Sequence, residues 1–260
     1  MDSTTTKFNI DEGNLGKKYI VSGEGEVDAA VVLKLVQRAD RLLADKFGGP
    51  GLVKCATKAK ESVIRCAVEV SSTPCYSALW KWVPANYYEL TLIERQKLLG
   101  ARSINQLCKA MLMENKSFNG DITRDFGCSD PHNSRFYLVV VQYTSTIDMK
   151  KLENSVRTLK PKSERLSPNN FKFVVASSES NSRLTGYEHG AVSPFGMACP
   201  NVPIIFPTEA EAEVNFIYLG GGHVDLKVGV SVSDFQKKEN VFLVPASTRK
   251  YEEAEEERGR

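Results

Sequence analysis

The sequence predicts an α+β fold, a mostly β core interrupted by helices, and three observations carry that expectation. Residues 136 to 143, FYLVVVQY, form a near-continuous apolar run of the kind found in the middle of a sheet. Two stretches, 27 to 47 and 148 to 159, place apolar residues at helical spacing. Short strand-like runs recur at 202 to 206, 214 to 219, 226 to 232 and 241 to 244, separated by glycine, proline and polar clusters. A chain of 260 residues is long enough for one sizeable core with an appendage.

Taken in order, residues 1 to 25 are polar and glycine-dotted and read as a flexible lead. From Val27 to Phe47 the stripe Val27, Val31, Leu35 with Val32, Val36, Ala39, Leu43 and Phe47 predicts an amphipathic helix that Gly48, Gly49 and Pro50 stop. The run VIRCAVEV, 63 to 70, is expected as a strand because of its valines and isoleucine. The aromatic-rich stretch that follows, with Trp80, Trp82, Tyr87 and Tyr88, is read as irregular; such rings stack on bases in some nucleic-acid binders and pack cores in most proteins. Thr91 with Glu94 forms a capping box ahead of a short helix ended by Gly100, and Ser103 with Gln106 repeats the pattern.

Residues 107 to 113, LCKAMLM, predict a buried strand with one charge in it. Lys109 must reach water, pair with an acid, or point into a functional cavity. Strand alternation sends its neighbour Cys108 to the opposite face, into the core. Residues 114 to 135 are a polar insertion rich in turn formers. A helix capped by Asp148, a strand at 171 to 176 and a short helix at 178 to 184 then deliver the chain to its most distinctive segment. That segment, Leu184 to Gly196, reads LTGYEHGAVSPFG and predicts a shaped loop with a Gly190 to Pro194 GxxxP spacing. A second glycine-rich turn, Gly220-Gly221-Gly222-His223, follows the strand at 214 to 219. Glycine permits close backbone approach, so two such loops suit a ligand held by backbone N–H groups, or serve as ordinary turns.

Composition narrows the function class. The apolar fraction is 42% and net charge is +2, with a local −3 in the last ten residues. The remainder is mildly basic, compatible with a phosphate backbone as partner. No run is long and apolar enough to span a bilayer, and the N-terminus lacks the features of a signal peptide, so a cytoplasmic location is expected. Six scattered cysteines and three histidines offer no metal-ligand spacing, and neither metal nor cofactor is expected.

In combination and in this order, LCKAMLM, FYLVVVQY, LTGYEHGAVSPFGM, VPIIF and FIYLGGGHVDLKVGV resemble the YbaK/ProX family of aminoacyl-tRNA editing domains, over about residues 86 to 244. The lead-in YYELTLIERQKLLGA and the insertion look like a eukaryotic-type free-standing member. The resemblance implies a curled, mostly antiparallel sheet around a pocket, flanked by helices. It further implies hydrolysis of the ester that joins a wrong, small amino acid to tRNA, with aminoacyl-tRNA as partner and a synthetase as a second one. Carried over by position, the family's essential lysine falls on Lys109. Its GxxxP loop falls on Gly190, Ala191, Val192, Ser193 and Pro194, and its triple-glycine loop on Gly220, Gly221 and Gly222. His223 stands where some relatives have a histidine; Ala110 and Lys227 replace a threonine and an aspartate of others. In this reading Lys109, Gly190 and His223 form the catalytic set and the other loop residues hold substrate. The expected organisation is an N-terminal extension (1 to 62), an editing domain (63 to 245) and an acidic tail (246 to 260). The alternative is a non-catalytic tRNA-binding or scaffold module of a synthetase assembly.

Overall fold

The computed structural model describes residues 19–21, 25–27, 53–73, 75 and 78–250. Strands β1 (Tyr19–Val21) and β2 (Gly25–Val27) pair as a small antiparallel ladder, β1 within the stretch expected as a flexible lead and β2 running from its last residue to Val27, the expected start of a helix. Apart from Val27, the helix expected at 27 to 47 lies outside the described residues. Helix α1 (Val53–Ser72) then replaces the strand expected at 63 to 70. The reason is visible in the burial. Val63, Cys66, Ala67 and Val70 are buried at i, i+3, i+4 and i+7, a helical stripe, and the β-branched residues that suggested a strand are held helical by that packing. The helix also crosses residue 62, where the sequence reading places a domain edge.

Strand β3 (Leu79–Trp82) falls in the aromatic stretch expected to be irregular, and a 3-10 turn covers Tyr87–Glu89. Helix α2 (Leu92–Leu99) has the expected ends. Thr91 accepts from the Glu94 N–H, Glu94 accepts from the Thr91 N–H, and Gly100 closes the helix in the left-handed conformation. The second capping signal is weaker: Ser103 caps only the 3-10 turn Ile104–Gln106, and the Gln106 side chain accepts from Arg102 N–H.

The main sheet comprises β4 (Cys108–Asn115), β5 (Phe136–Gln142), β7 (Phe173–Val175), β8 (Ile204–Pro207) and β11 (Val241–Val244), in the order β11-β8-β5-β4-β7. All seven residues of β5 are buried, as expected for its central place. Its neighbours run antiparallel (β4) and parallel (β8). Between β5 and β7 come β6 (Ser145–Ile147) and helix α3 (Met149–Thr158), whose N-terminal N–H groups are capped by Asp148. Leu152 and Val156 of α3 pack with Met113, Tyr137, Val139 and Phe173 on one face of the sheet. On the other face, Cys108, Leu112, Leu138 and Val140 meet Cys66 and Val70 of α1 together with Tyr187, Ala191 and Phe195.

The remaining elements are α4 (Ser178–Thr185), α5 (Thr208–Glu211), β9 (Phe216–Gly220), β10 (Leu226–Ser231), α6 (Val232–Phe235) and β12 (Ser247–Arg249). Strands β3, β10 and β9 form a separate three-stranded antiparallel sheet, which touches the main one through a bridge between Leu107 and Tyr218. The fold is thus α+β with mostly antiparallel pairing, divided between sheets. Strand β12 pairs with β6, so residues 247 to 249 are built into the fold.

Candidate functional site

The segment after α4 is a loop with a hydrogen-bonded neck. Ala198 and Cys199 N–H donate to the carbonyls of Thr185 and Leu184, so the chain leaves and re-enters at one place. Inside the loop, the buried Tyr187 hydroxyl donates to Phe195 O and lies 3.0 Å from Gly196 O. From behind, α1 holds both ends. Arg65 donates to the carbonyls of Gly186 (2.7 Å) and Gly196 (3.2 Å), Glu69 accepts the Gly196 N–H and is itself paired with Lys238, and Cys66 Sγ lies 3.3 Å from Ser193 Oγ. Burial pushes the Cys66 thiol up to about 12, so it acts here as packing and a hydrogen-bonding partner.

The turn joining β9 to β10 lies directly against this loop. A methyl group added to Gly220 would collide with the Val192 carbonyl oxygen, and one on Gly190 would stand 3.2 Å from Val224 Cγ2. The same helix backs both segments. At Gly196 (φ +67°) a methyl would come within 2.6 Å of the Arg65 carbonyl oxygen, and at Gly222 (φ +88°) within 2.6 Å of the Ser62 carbonyl oxygen. The glycines therefore serve close packing between two loops and a helix. Gly221 closes its turn by donating to Leu226 O, with Trp80 and Leu226 at its Cα.

In front of Gly190 lies a group of tyrosines and cations that the sequence reading did not assign to the site. Tyr88 Oη donates to Gly190 O (2.7 Å), and Lys227 Nζ donates to Tyr88 Oη (3.0 Å) and Val224 O (2.7 Å). Arg95 donates to the carbonyls of Tyr88 and Leu90, and its guanidinium stands 5.3–5.4 Å from the ring centroids of Tyr87, Tyr88 and Tyr143. Desolvation first, and the neighbouring tyrosines second, push the Tyr88 hydroxyl above its ordinary range, so it remains a proton donor at neutral pH.

Lys109 borders this group. Its ammonium lies 5.9 Å from the centre of the Tyr143 ring and its pKa is lowered, chiefly by burial and then by Lys250. It pairs across the ladder with Val141, and alternation puts it with Met111 and Met113, the parity opposite to Ala110 and Cys108. Ala191 packs with that opposite face. The described contacts thus bring the GxxxP loop and the triple-glycine turn together directly, while Lys109 approaches through the tyrosines. Cys108 is buried in the core with its thiol pushed up by desolvation, as alternation predicts.

His223 belongs to the β9–β10 turn. Its Nδ1 accepts from Asp225 N–H (3.2 Å) and its ring meets Trp82 edge-on, with 5.5 Å between centroids. Of the loop N–H groups, Ala191 donates to Glu188 O, Phe195 to Ser193 Oγ and Gly196 to Glu69, so these three are engaged within the protein. Pro194 and Ser193 are buried and Val192 is half-buried. Elsewhere, an open depression of about 440 Å³ lined by residues including Arg102, Gln106, Glu213 and Asn215 sits at the other end of β9 from Gly220. Among the described residues no cluster of His, Cys, Asp and Glu is arranged to hold a metal ion, and no helix is long and apolar enough to cross a membrane.

Sequence reasoning missed Arg95 and Tyr143, named Tyr88 only among rings that could stack on bases, and named Lys227 only as a departure from an aspartate of some relatives. The signal for Lys227 was the one that singled out Lys109, a lysine within an apolar strand: Lys227 is 4% exposed in β10. Tyr88 carried no comparable signal, because adjacent tyrosines before a helix look the same whether they pack or bind.

Comparison with known proteins follows the geometry. One solved structure, described as a candidate trans-editing enzyme for prolyl-tRNA synthetase, is 16% identical, covering 72% of this chain and 97% of its own with a TM-score of 0.53. Another, from computational grafting of epitopes onto scaffold proteins, is 14% identical with the same coverage and a TM-score of 0.52. At these identities the likeness is one of fold. No curated protein matches the sequence. The model of the aminoacyl-tRNA editing domain matches residues 91–238, more than half of the chain, and the chain therefore belongs to the aminoacyl-tRNA editing domain family.

Proposed function

We propose that the protein is a trans-editing deacylase, hydrolysing the ester between a wrongly attached small amino acid and the 3′ end of a tRNA. The observation that carries this reading is the meeting of the two glycine-rich loops beside a patch of three cations and three tyrosines. An aminoacyl ester is already activated, so the site needs placement and a polarised carbonyl rather than a strong nucleophile. Cys66 and Cys108 are both kept as thiols by burial and are assigned no nucleophilic part.

In the proposed mechanism Lys109 and Arg95, 5.9 and 5.4 Å from the centre of the Tyr143 ring, meet the terminal phosphate. The ester carbonyl is met by N–H groups of the Gly190–Pro194 loop other than those of Ala191, Phe195 and Gly196. The ribose 2′-hydroxyl positions the attacking water. His223, engaged by its own turn, supports the loop rather than acting as general base. Neither metal nor cofactor takes part. The protein works on tRNA already charged, in the cytoplasm and alongside a synthetase.

The test is deacylation of a panel of tRNAs charged with alanine, cysteine, serine or threonine, comparing wild type with Lys109→Ala. One charged tRNA should be emptied by the wild type, with a loss of at least about 100-fold in the variant and an unchanged fold by circular dichroism. If wild type binds tRNA and empties none, the non-catalytic binding module replaces this reading. Truncation studies should spare α1, since a cut after residue 62 would halve the helix and remove the Ser62 carbonyl from Gly222.

A further inference from the structure

Tyr88 lies three residues before the segment that matches the editing-domain family, yet it is bonded to the first glycine of the GxxxP loop. Its hydroxyl donates to Gly190 O at 2.7 Å, accepts from Lys227 Nζ at 3.0 Å and also meets the Tyr143 hydroxyl. Lys227 is in turn fixed by the Val224 carbonyl at 2.7 Å, with its ammonium 4.6 Å from the Tyr88 ring centre and 4.9 Å from that of Tyr87. Arg95 holds the backbone of the same turn through Tyr88 O (2.6 Å) and Leu90 O (2.9 Å). On the loop side, the peptide joining Gly190 to Ala191 is gripped at both ends: its carbonyl oxygen by Tyr88, its N–H by Glu188 O at 3.0 Å.

A peptide plane fixed at both its oxygen and its N–H cannot rotate, and this one sets the direction in which the following residues enter the loop. The plane turns about ψ of Gly190 and φ of Ala191, and ψ is least restricted at glycine, so without the outer bond only the Glu188 carbonyl would hold it. Resting on the deacylase reading above, we propose that Tyr88, keyed by Lys227, is a positioning residue of the editing site: it locks the Gly190–Ala191 peptide so that the loop presents its N–H groups to the ester.

The role separates from simple structural support in the kinetics. Tyr88→Phe deletes the hydroxyl and keeps the ring. In the full-length protein it should lower kcat for deacylation about tenfold with KM for charged tRNA changed less than twofold, because the lost bond orients the loop rather than binding tRNA. Lys227→Met should lower kcat by a similar factor. The double variant should be no slower than the worse single, since both act through one bond. Hydrogen exchange at the amides of residues 190 to 193 should quicken in Tyr88→Phe, with the melting temperature within a few degrees of wild type. Wild-type kcat in Tyr88→Phe, or multiplied losses in the double variant, would overturn the proposal. Failure of wild type on every charged tRNA would instead bring down the deacylase reading and this role with it, and wild type itself reveals that case.

Discussion

The two glycine-rich loops look alike in sequence and are built in different ways. The β9–β10 turn is shaped mainly by its own backbone: Gly221 N–H donates to Leu226 O, Leu226 N–H donates to His223 O, and Gly220 and Gly222 lie against the backbones of Val192 and Ser62. The Gly186–Gly196 loop is shaped by side chains reaching in from three directions, with Arg65 and Glu69 of α1 behind, Tyr187 within and Tyr88 in front. The first kind of loop has few adjustable parts. The second can be reset by changing one side chain far away in sequence, and it is the one that carries the GxxxP spacing.

The largest effects should come where both loops press on the helix. Gly196→Ala and Gly222→Ala each combine a positive φ with a methyl driven into α1 backbone, and each should cost roughly 2–4 kcal/mol in urea unfolding. Gly190→Ala is the internal control. Its positive φ is similar, but its neighbours are the movable side chains of Val224 and Tyr88, so the cost should be about 1 kcal/mol; equal losses at Gly190 and Gly196 would erase the distinction.

Glu69→Ala sharpens the contrast, because Glu69 bonds directly to the Gly186–Gly196 loop. Removing the acceptor of the Gly196 N–H and the partner of Lys238 should cost about 1–3 kcal/mol. Hydrogen exchange should rise in residues 186 to 196 and not in 220 to 223.

The smallest effect on stability, paired with the largest on activity, is expected at Lys109. Burial lowers its pKa in the folded state, so the unfolded chain holds the proton more tightly. The charged lysine therefore opposes folding at neutral pH, and that cost disappears as pH rises from the lowered folded value toward the ordinary one near 10.5. Lys109→Met should leave the melting temperature unchanged or raised while deacylation is lost. A clear fall in melting temperature would mark Lys109 as a structural residue instead.

Much of this architecture was legible in the sequence for reasons that survive in the structure. All but the last residue of the FYLVVVQY run became a strand, Phe136–Gln142, buried along its length, since only a central strand shields both faces. Local chemistry alone fixed Thr91, Glu94 and Gly100 as the ends of α2. Legibility failed where a residue's role depends on distant partners. Valine and isoleucine favour strands locally, and α1 is helical because its stripe packs on a loop more than a hundred residues later. Lys109 stood out as a charge in an apolar run, whereas Tyr88 did not, because its importance lies in a bond to a residue 102 positions away.

That long reach has a consequence for how the protein comes into being. Contacts between α1 and the Gly186–Gly196 loop span 121 to 131 positions along the chain. A ribosome adding about 5–20 residues per second needs roughly 6–26 s to cover that interval. Throughout it the nascent helix carries an apolar face whose cover has yet to be made, and the loop cannot take its shape until synthesis has passed it. Topology of such high contact order makes the paired glycine-rich loops one of the last features to form, so a chain released early holds the helix and strands of the fold without the loops they support.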